Sequence, residues 1–451
     1  MPEKINLHKI TTPKNNITFN SKENYLFNGI DRSLKPLDTF VKSQENLKVT
    51  RFIQDVVTNW LPKVVFTRSL ADFTEMSFLE FTESALFYFI PAVLGGVFYK
   101  VFSKLAPKNL REDLRRNIAK PADTILKDTK LAQSGVAKRV LPLKAAIILA
   151  CASIPAAEYA LSFAKNLLTL KVFKKSDFNN VVNLNKNQTE NEEHQEKVRK
   201  SAKNHIKKAG VLSLGGLGAG FIFARYGHKS ELLQGASSLI LQPGKHLADG
   251  LKKAGVHSGK LEKFLKKYIT PDFDEKNGKL TLSKGQLLIS TASGFFGYSE
   301  AGKDRGKLDR LEVWTRVPFV VLYTTFGSAI FDQAFNHIFV KKNKFSDLIK
   351  KAEDGSVKIP SRAELPELAT KIAKAKNTLP QTEFNRLLRE KAIITAIPYG
   401  FSLIFMGFLL AGITRFWTQY RYNRTQKNTV ADNIFKNFTG ADAGEIKKFM
   451  V

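Results

Sequence analysis

The chain is short of the residues from which redox and metal chemistry are built. Of its 451 residues only one is cysteine, Cys151, and it lies in an apolar run. That excludes an intramolecular disulfide, a CxxC redox pair and a cysteine-rich zinc site, and an inert packing thiol is the expected role. The seven histidines, at 8, 194, 205, 228, 246, 257 and 337, form no HExxH pair. Asp332 and His337 are five residues apart, which takes them off one helix face and out of metal-ligand spacing. There is no GxSxG elbow, because Gly297-Tyr-Ser299-Glu-Ala-Gly302 is one residue too long. No catalytic residue, metal site or cofactor is therefore expected, and the chain is read as non-enzymatic.

Negative charge is scarce as well. Asp and Glu number 41 against 71 Lys and Arg, a formal charge of +30. A surface of that sign attracts anionic partners, either phospholipid headgroups or nucleic acid. Basic clusters such as Lys263-Phe-Leu-Lys266-Lys267-Tyr268 sit on helical faces without a nucleic-acid module, which favours lipid. The opening residues MPEKINLHKITTPKNN lack the apolar core of a cleavable signal peptide, so delivery to a membrane is expected to depend on internal spans.

Long apolar runs are few, and one stands apart. Residues 392 to 414, AIITAIPYGFSLIFMGFLLAGIT, are 23 uncharged residues containing eleven Ile, Leu and Phe. At 1.5 Å per residue they extend about 34 Å, enough for a hydrocarbon core of about 30 Å. Their exit carries Arg415, Trp417, Tyr420 and Arg421, rings and cations of the kind that anchor a helix at a headgroup boundary. Five weaker segments, 84–99, 145–164, 209–224, 285–299 and 317–331, are mostly about one turn short. Pro91, Pro155, Pro318 and Pro398 fall inside such segments and are expected to kink or break them. If all six crossed, alternate compartments would receive 34 and 37 Lys and Arg. The absence of bias argues for two to four true spans, with the remainder interfacial or buried.

The expected fold class is mainly α, a helical membrane protein with kinked and partly short spans, charged extramembrane helices and a small β-hairpin. Asn277-Gly278 marks that hairpin within 273–282. The organisation reads as a polar arm (1–50), an amphipathic segment with the first two apolar segments (51–171) and a basic connection (172–208). A glycine-rich central region follows (209–340), then a charged helical connection (341–391), the strongest span with its collar (392–424) and a tail (425–451).

Two near-motifs fail on spacing. Gly297 to Lys303 fits GxxxxGK, but Asp304 stands where a phosphate loop needs a hydroxyl. Gly215-Gly216-Leu-Gly218-Ala-Gly220 misses the dinucleotide fingerprint. Gly216 and Gly220, four apart, instead predict a close helix–helix contact. Acidic residues in apolar segments are the remaining lead, because an ionised carboxylate is costly in lipid and normally faces protein or water. Glu80, Glu83 and Glu158 are the candidates for a proton or ion path, with Arg225 and Arg316 as counter-charges. The expected function is a membrane scaffold or organising component, with anionic lipid headgroups, other membrane helices or self-association as partners. A transporter or channel requires the three carboxylates to converge in a cavity, and a peripheral lipid- or nucleic-acid-binding protein is the further alternative.

Overall fold

The computed structural model describes residues 32–45, 52–53, 56–105, 111–185, 190–272, 275–276, 279–280, 283–323, 328–351 and 357–439. Most of the polar arm, and the end of the tail from residue 440, lie outside the described residues. Helix dominates. The hairpin over 273–282 is not supported: pairing there is limited to Glu275–Lys276 against Lys279–Leu280, too short to bury a face, and the residues between them lie outside the described set.

Two compact units divide the chain, one of residues 1–50 and 332–398, the other of residues 51–331 and 399–451. In the first, Val41 of the helix Lys35–Glu45, Leu365 of the helix Leu365–Lys376, and Phe384 and Leu387 of the helix Pro380–Ser402 form a core with Leu34 and Leu348. Its rim is ionic. Asp38 accepts from Arg362 and pairs with Lys42 at 2.6 Å, while Asp347 pairs with Arg386 at 2.6 Å and Lys376 at 3.0 Å.

The second unit is a helical bundle, whose helices are α1 (Leu61–Val65), α2 (Leu70–Tyr88), α3 (Ile90–Ser103), α4 (Ala137–Ala150), α5 (Ser153–Phe173), α6 (Glu192–Tyr226), α7 (Glu231–Leu241), α8 (Pro243–Lys253), α9 (Gly259–Tyr268), α10 (Lys284–Arg305), α11 (Lys307–Leu322) and α12 (Leu410–Thr439). Side-chain caps fix several starts: Ser69 accepts from the Asp72 amide at 3.0 Å, Asn191 from Glu193 at 2.9 Å, and Ser283 with Gln286 closes a capping box on α10. Prolines act as breaks where the missing N–H costs least. Pro91 stands in the first turn of α3, and Pro155 is the third residue of α5. Pro318 is tolerated inside α11. Pro398 lies within Pro380–Ser402, and a π-type stretch, Leu403–Leu409, joins that helix to α12.

Nothing breaks the chain between the charged residues 192–208 and the apolar segment 209–224, and both fall in one 35-residue helix, α6, about 52 Å long. This helix runs antiparallel to α4 and α5. Gly227 abuts Pro142, Gly220 abuts Ala146, Gly216 abuts Leu149, and His205 stacks on Phe163 at 4.2 Å. Conversely α5 and α10 run parallel: the Ser293 hydroxyl donates to the Pro155 carbonyl at 2.7 Å, and the Asn166 amide donates to the Ala301 carbonyl at 3.1 Å. The helix α5 is thus surrounded, and its buried residues include Ile154, Glu158, Phe163, Lys165 and Thr169.

Among the described residues, four helical stretches are long and apolar enough to cross a membrane: Leu70–Ser103, Ala137–Phe173, Glu192–Tyr226 and Pro380–Val430. They contain segments 84–99, 145–164, 209–224 and 392–414. Segment 285–299 is not in that set, and residues 324–327 of segment 317–331 lie outside the described residues. The apolar window of Ala137–Phe173 is 61% buried by protein, whereas those of the other three are 17–24% buried. One candidate is a core helix and three turn apolar side chains outward.

Candidate functional site

The helix ends of the bundle meet in a buried ionic layer. Asp72 and Glu75 open α2, Lys165 and Thr169 close α5, Arg305 ends α10, Asp309 and Glu312 begin α11, and Arg415 and Thr418 lie in the first turns of α12. Arg305 Nη1 donates to both Glu75 oxygens at 2.9 and 3.0 Å and to Asn166 Oδ1 at 3.1 Å. Its Nε lies 3.4 Å from Asp309, and Lys165 Nζ lies 3.9 Å from both Glu75 and Asp309. Arg415 donates to Glu312 at 2.9 Å and to Asp72 at 3.1 Å, Arg68 donates to Glu312 at 3.3 Å, and the Thr418 hydroxyl donates to Glu312 at 2.7 Å. The Phe178 ring is shared by Arg68 and Arg305, whose guanidinium carbons stand 5.7 and 5.8 Å from its centroid.

Glu312 shows the energetic logic of this layer. Burial alone pushes its carboxyl up, but Arg415, Arg68 and Arg316 outweigh that and hold it down at about 2. The α10–α11 turn that feeds the layer is made by Gly306 at φ 127°, a conformation that favours glycine. The segment Gly297–Lys303 lies wholly inside α10, so its amides serve the helix and form no phosphate cradle.

An apolar layer of Leu79, Leu161 and Val313 comes next, and beyond it a second polar group. Glu83 lies eight residues from Glu75 along α2, while Glu158 and Tyr298 each lie seven residues from Lys165 and Arg305 along α5 and α10. Two turns of helix therefore separate the two polar layers by about 10–12 Å. The Tyr298 hydroxyl donates to Glu83 at 3.1 Å, and Lys63 of α1 donates to Glu80. Lys63, Glu80 and Tyr298 are each 7% exposed, and Glu158 is fully buried.

Glu80, Glu83, Lys63, Asn59, Tyr298 and Arg316 supply polar walls to a cavity of about 40 Å³, room for one to three waters. Glu158 does not line it. Its carboxylate sits behind Gly294, 3.7 Å from where a Cβ there would stand, and the Tyr298 ring lies 4.0 Å from the same point. The three candidate carboxylates thus gather around one tyrosine, two in the cavity and one behind it. Arg316 joins them, whereas Arg225 lies instead over the Tyr226 ring at 5.5 Å.

The other candidates fall elsewhere. Cβ atoms on Gly216 and Gly220 would stand 2.5 Å from the Leu149 carbonyl oxygen and 2.8 Å from that of Ala146, which only glycine permits. Of the collar residues, Trp417 and Tyr420 are 43% and 47% exposed, and Arg421 donates to Thr315 at 3.2 Å while lying 5.9 Å over the Trp417 ring. Arg415 turns inward to the ionic layer, where it pairs with Asp72 and Glu312 in charge-assisted hydrogen bonds. Among the described residues no group of three or more His, Cys, Asp or Glu is placed to hold a metal ion.

Sequence reasoning missed Lys63, Lys165 and Tyr298. A signal existed for the two lysines, which are lone cations in the apolar runs WLPKVVF and SFAKNLL. Such a cation is costly to bury without a carboxylate partner. The cavity's tyrosine carries no comparable signal.

No protein family, curated protein or solved structure matches the chain.

Proposed function

We propose that this chain is a multi-pass integral membrane protein whose bundle passes protons or small cations through the cavity at Glu80, Glu83 and Tyr298, without enzymatic chemistry. The observation that carries the reading is the Glu83–Tyr298 hydrogen bond in a cavity that also holds Glu80 and Lys63. Intramembrane carboxylates that converge on a watered space are the usual substance of a proton or ion relay. A volume near 40 Å³ has room for water, a proton or a dehydrated cation. The apolar layer at Leu79, Leu161 and Val313 separates this cavity from the ionic layer, as a pathway closed on one side requires.

Retention in the membrane pellet after an alkaline carbonate wash tests embedding first, and release would remove the whole reading. Purified protein in vesicles loaded with a pH-sensitive dye should then carry a proton or potassium flux that falls at least tenfold in Glu83→Gln, with Tyr298→Phe also reduced. Equal flux in wild type and Glu83→Gln would exclude the path. A membrane-organising scaffold is the second reading. It is favoured by the ionic layer that ties five helix ends together and by the exposed Val211, Leu212, Leu214, Phe221 and Ile222 on α6, a face suited to lipid or another helix. Protein that is retained in the pellet but carries no flux supports it.

A further inference from the structure

The helices α8 and α9 serve neither polar layer and are too short to span. At 11 and 10 residues they extend only about 15–17 Å each. They are held to the bundle by one side only. Gly244 donates its amide to the Ile269 carbonyl at 2.7 Å, Lys245 pairs with Asp123 at 2.7 Å, and beyond α9 Asp272 pairs with the buried Lys144 at 2.9 Å. A Cβ on Gly244 would overlap the Leu265 backbone, so the two helices are in close contact there.

The outer side has a different composition. On α9, Leu261, Phe264, Leu265 and Tyr268 recur at i, i+3, i+4 and i+7, the spacing of an apolar stripe; its Leu265 edge packs on Gly244 of α8, which leaves Leu261 and Phe264 to the outer side. Leu261 is 38% exposed and Phe264 40%, and Leu247 of α8 is 53% exposed. Lys260 and Lys267 border this stripe on its Phe264 side and Lys263 lies one step further round, while the Glu262–Lys266 pair, 2.5 Å apart, lies on the other side of the helix. Across 243–268 seven lysines accompany only two carboxylates, Asp249 and Glu262.

We infer that the α8–α9 pair lies in the plane of a bilayer surface, with Leu261 and Phe264 seated among the acyl chains and Lys260, Lys263 and Lys267 on anionic phospholipid headgroups. An exposed apolar stripe bordered by lysines is the physical form of an interfacial amphipathic helix, and its cations are the complement of an acidic leaflet. Snorkelling lets the lysine stems cover the flank of the stripe while their ammonium groups reach phosphate. The inference rests on the chain being membrane-embedded.

The test uses the full-length protein with Cys151→Ala. Single cysteines replace Phe264, Lys266 or Ile404, each labelled with an environment-sensitive fluorophore, in vesicles of phosphatidylcholine alone or with one quarter phosphatidylglycerol. Nitroxide-bearing lipid should quench the label at 264 strongly in the anionic vesicles, several-fold less in the neutral ones, and the label at 266 in neither. Replacing Lys260, Lys263 and Lys267 by Gln should lower headgroup partitioning by roughly two orders of magnitude, at about fivefold per lysine, and bring quenching at 264 down to its level in neutral lipid. The label at Ile404, which is 59% exposed in the strongest apolar segment, should be quenched in both. Loss of quenching at 404 refutes embedding itself. Quenching at 404 without quenching at 264, or a 264 label shielded from aqueous iodide with no lipid quenching, overturns the interfacial placement alone.

Discussion

Replacing Glu312 by Gln is the sharpest test of the ionic layer. The variant keeps the side chain's shape and removes its charge. Glu312 accepts from Arg415 at 2.9 Å, from Thr418 at 2.7 Å and from Arg68 at 3.3 Å, and its side chain is 7% exposed. With the carboxylate gone, Arg415 and Arg68 retain Asp72, at 3.1 and 3.6 Å, so two buried guanidinium groups must share one anion. Breaking a buried pair from one side costs about 3–5 kcal/mol. A unit of roughly 330 residues has an unfolding entropy that converts each kcal/mol to about 1.5 °C, so the expected loss is roughly 5 °C in Tm.

The acid limb gives an independent value. The carboxyl titrates at about 2 when folded against an ordinary 4.5. Its stabilisation is therefore complete above pH 4.5 and disappears as pH falls toward 2, amounting to about 3 kcal/mol. Thermal unfolding in mild detergent, followed by tryptophan fluorescence, measures both effects. Glu312→Gln should unfold well below wild type at pH 7, and the gap should narrow between pH 5 and pH 2. Adding Arg415→Met to Glu312→Gln should cost less than the two single changes together, because the orphaned cation leaves with its partner. An unchanged Tm at pH 7, or a gap that stays constant with pH, would refute the assignment of Glu312 as the anion holding this layer.

Three further outcomes follow from packing elsewhere in the chain. Gly216→Ala drives a methyl against the Leu149 carbonyl and should destabilise by about 2 kcal/mol. Gly218→Ala, with open space around it, should stabilise α6 by up to about 1 kcal/mol, and the ranking can be read from Tm. In the other unit, burial pushes the Asp38 carboxyl up, but Lys42 and Arg362 outweigh that and hold it below its ordinary 3.8. Asp38→Asn should increase amide exchange in Leu365–Lys376 at pH 7, and the difference from wild type should shrink below pH 3.8, where the native carboxylate also protonates. Equal exchange at pH 7 would show that Arg362 does not need this anion.

The sequence by itself determined the helical class and the order of six apolar segments, four of which fall in helices long enough to span, because hydrophobic length and the lack of strand-period alternation are local properties. The best of these stretches, 392–414, was legible from its length alone. The glycine spacing at 216 and 220 was equally local, since two residues four apart share a face wherever the helix goes. Burial and pairing were decided elsewhere. Only the tertiary structure made Ala137–Phe173 a core helix while leaving Glu192–Tyr226 mostly uncovered, since which neighbours surround a helix is not encoded in its own composition. Arg415 read as a headgroup anchor because its neighbours Trp417 and Tyr420 are interfacial residue types. It turned inward because Asp72, more than 340 positions away, and Glu312, about 100 away, present carboxylates to it. Likewise Glu80, Glu83 and Glu158 were visible one by one as costly charges, but the tyrosine and lysine they meet come from α10 and α1. A buried charge announces in sequence that it needs a partner; only the packing of the helices determines which one it gets.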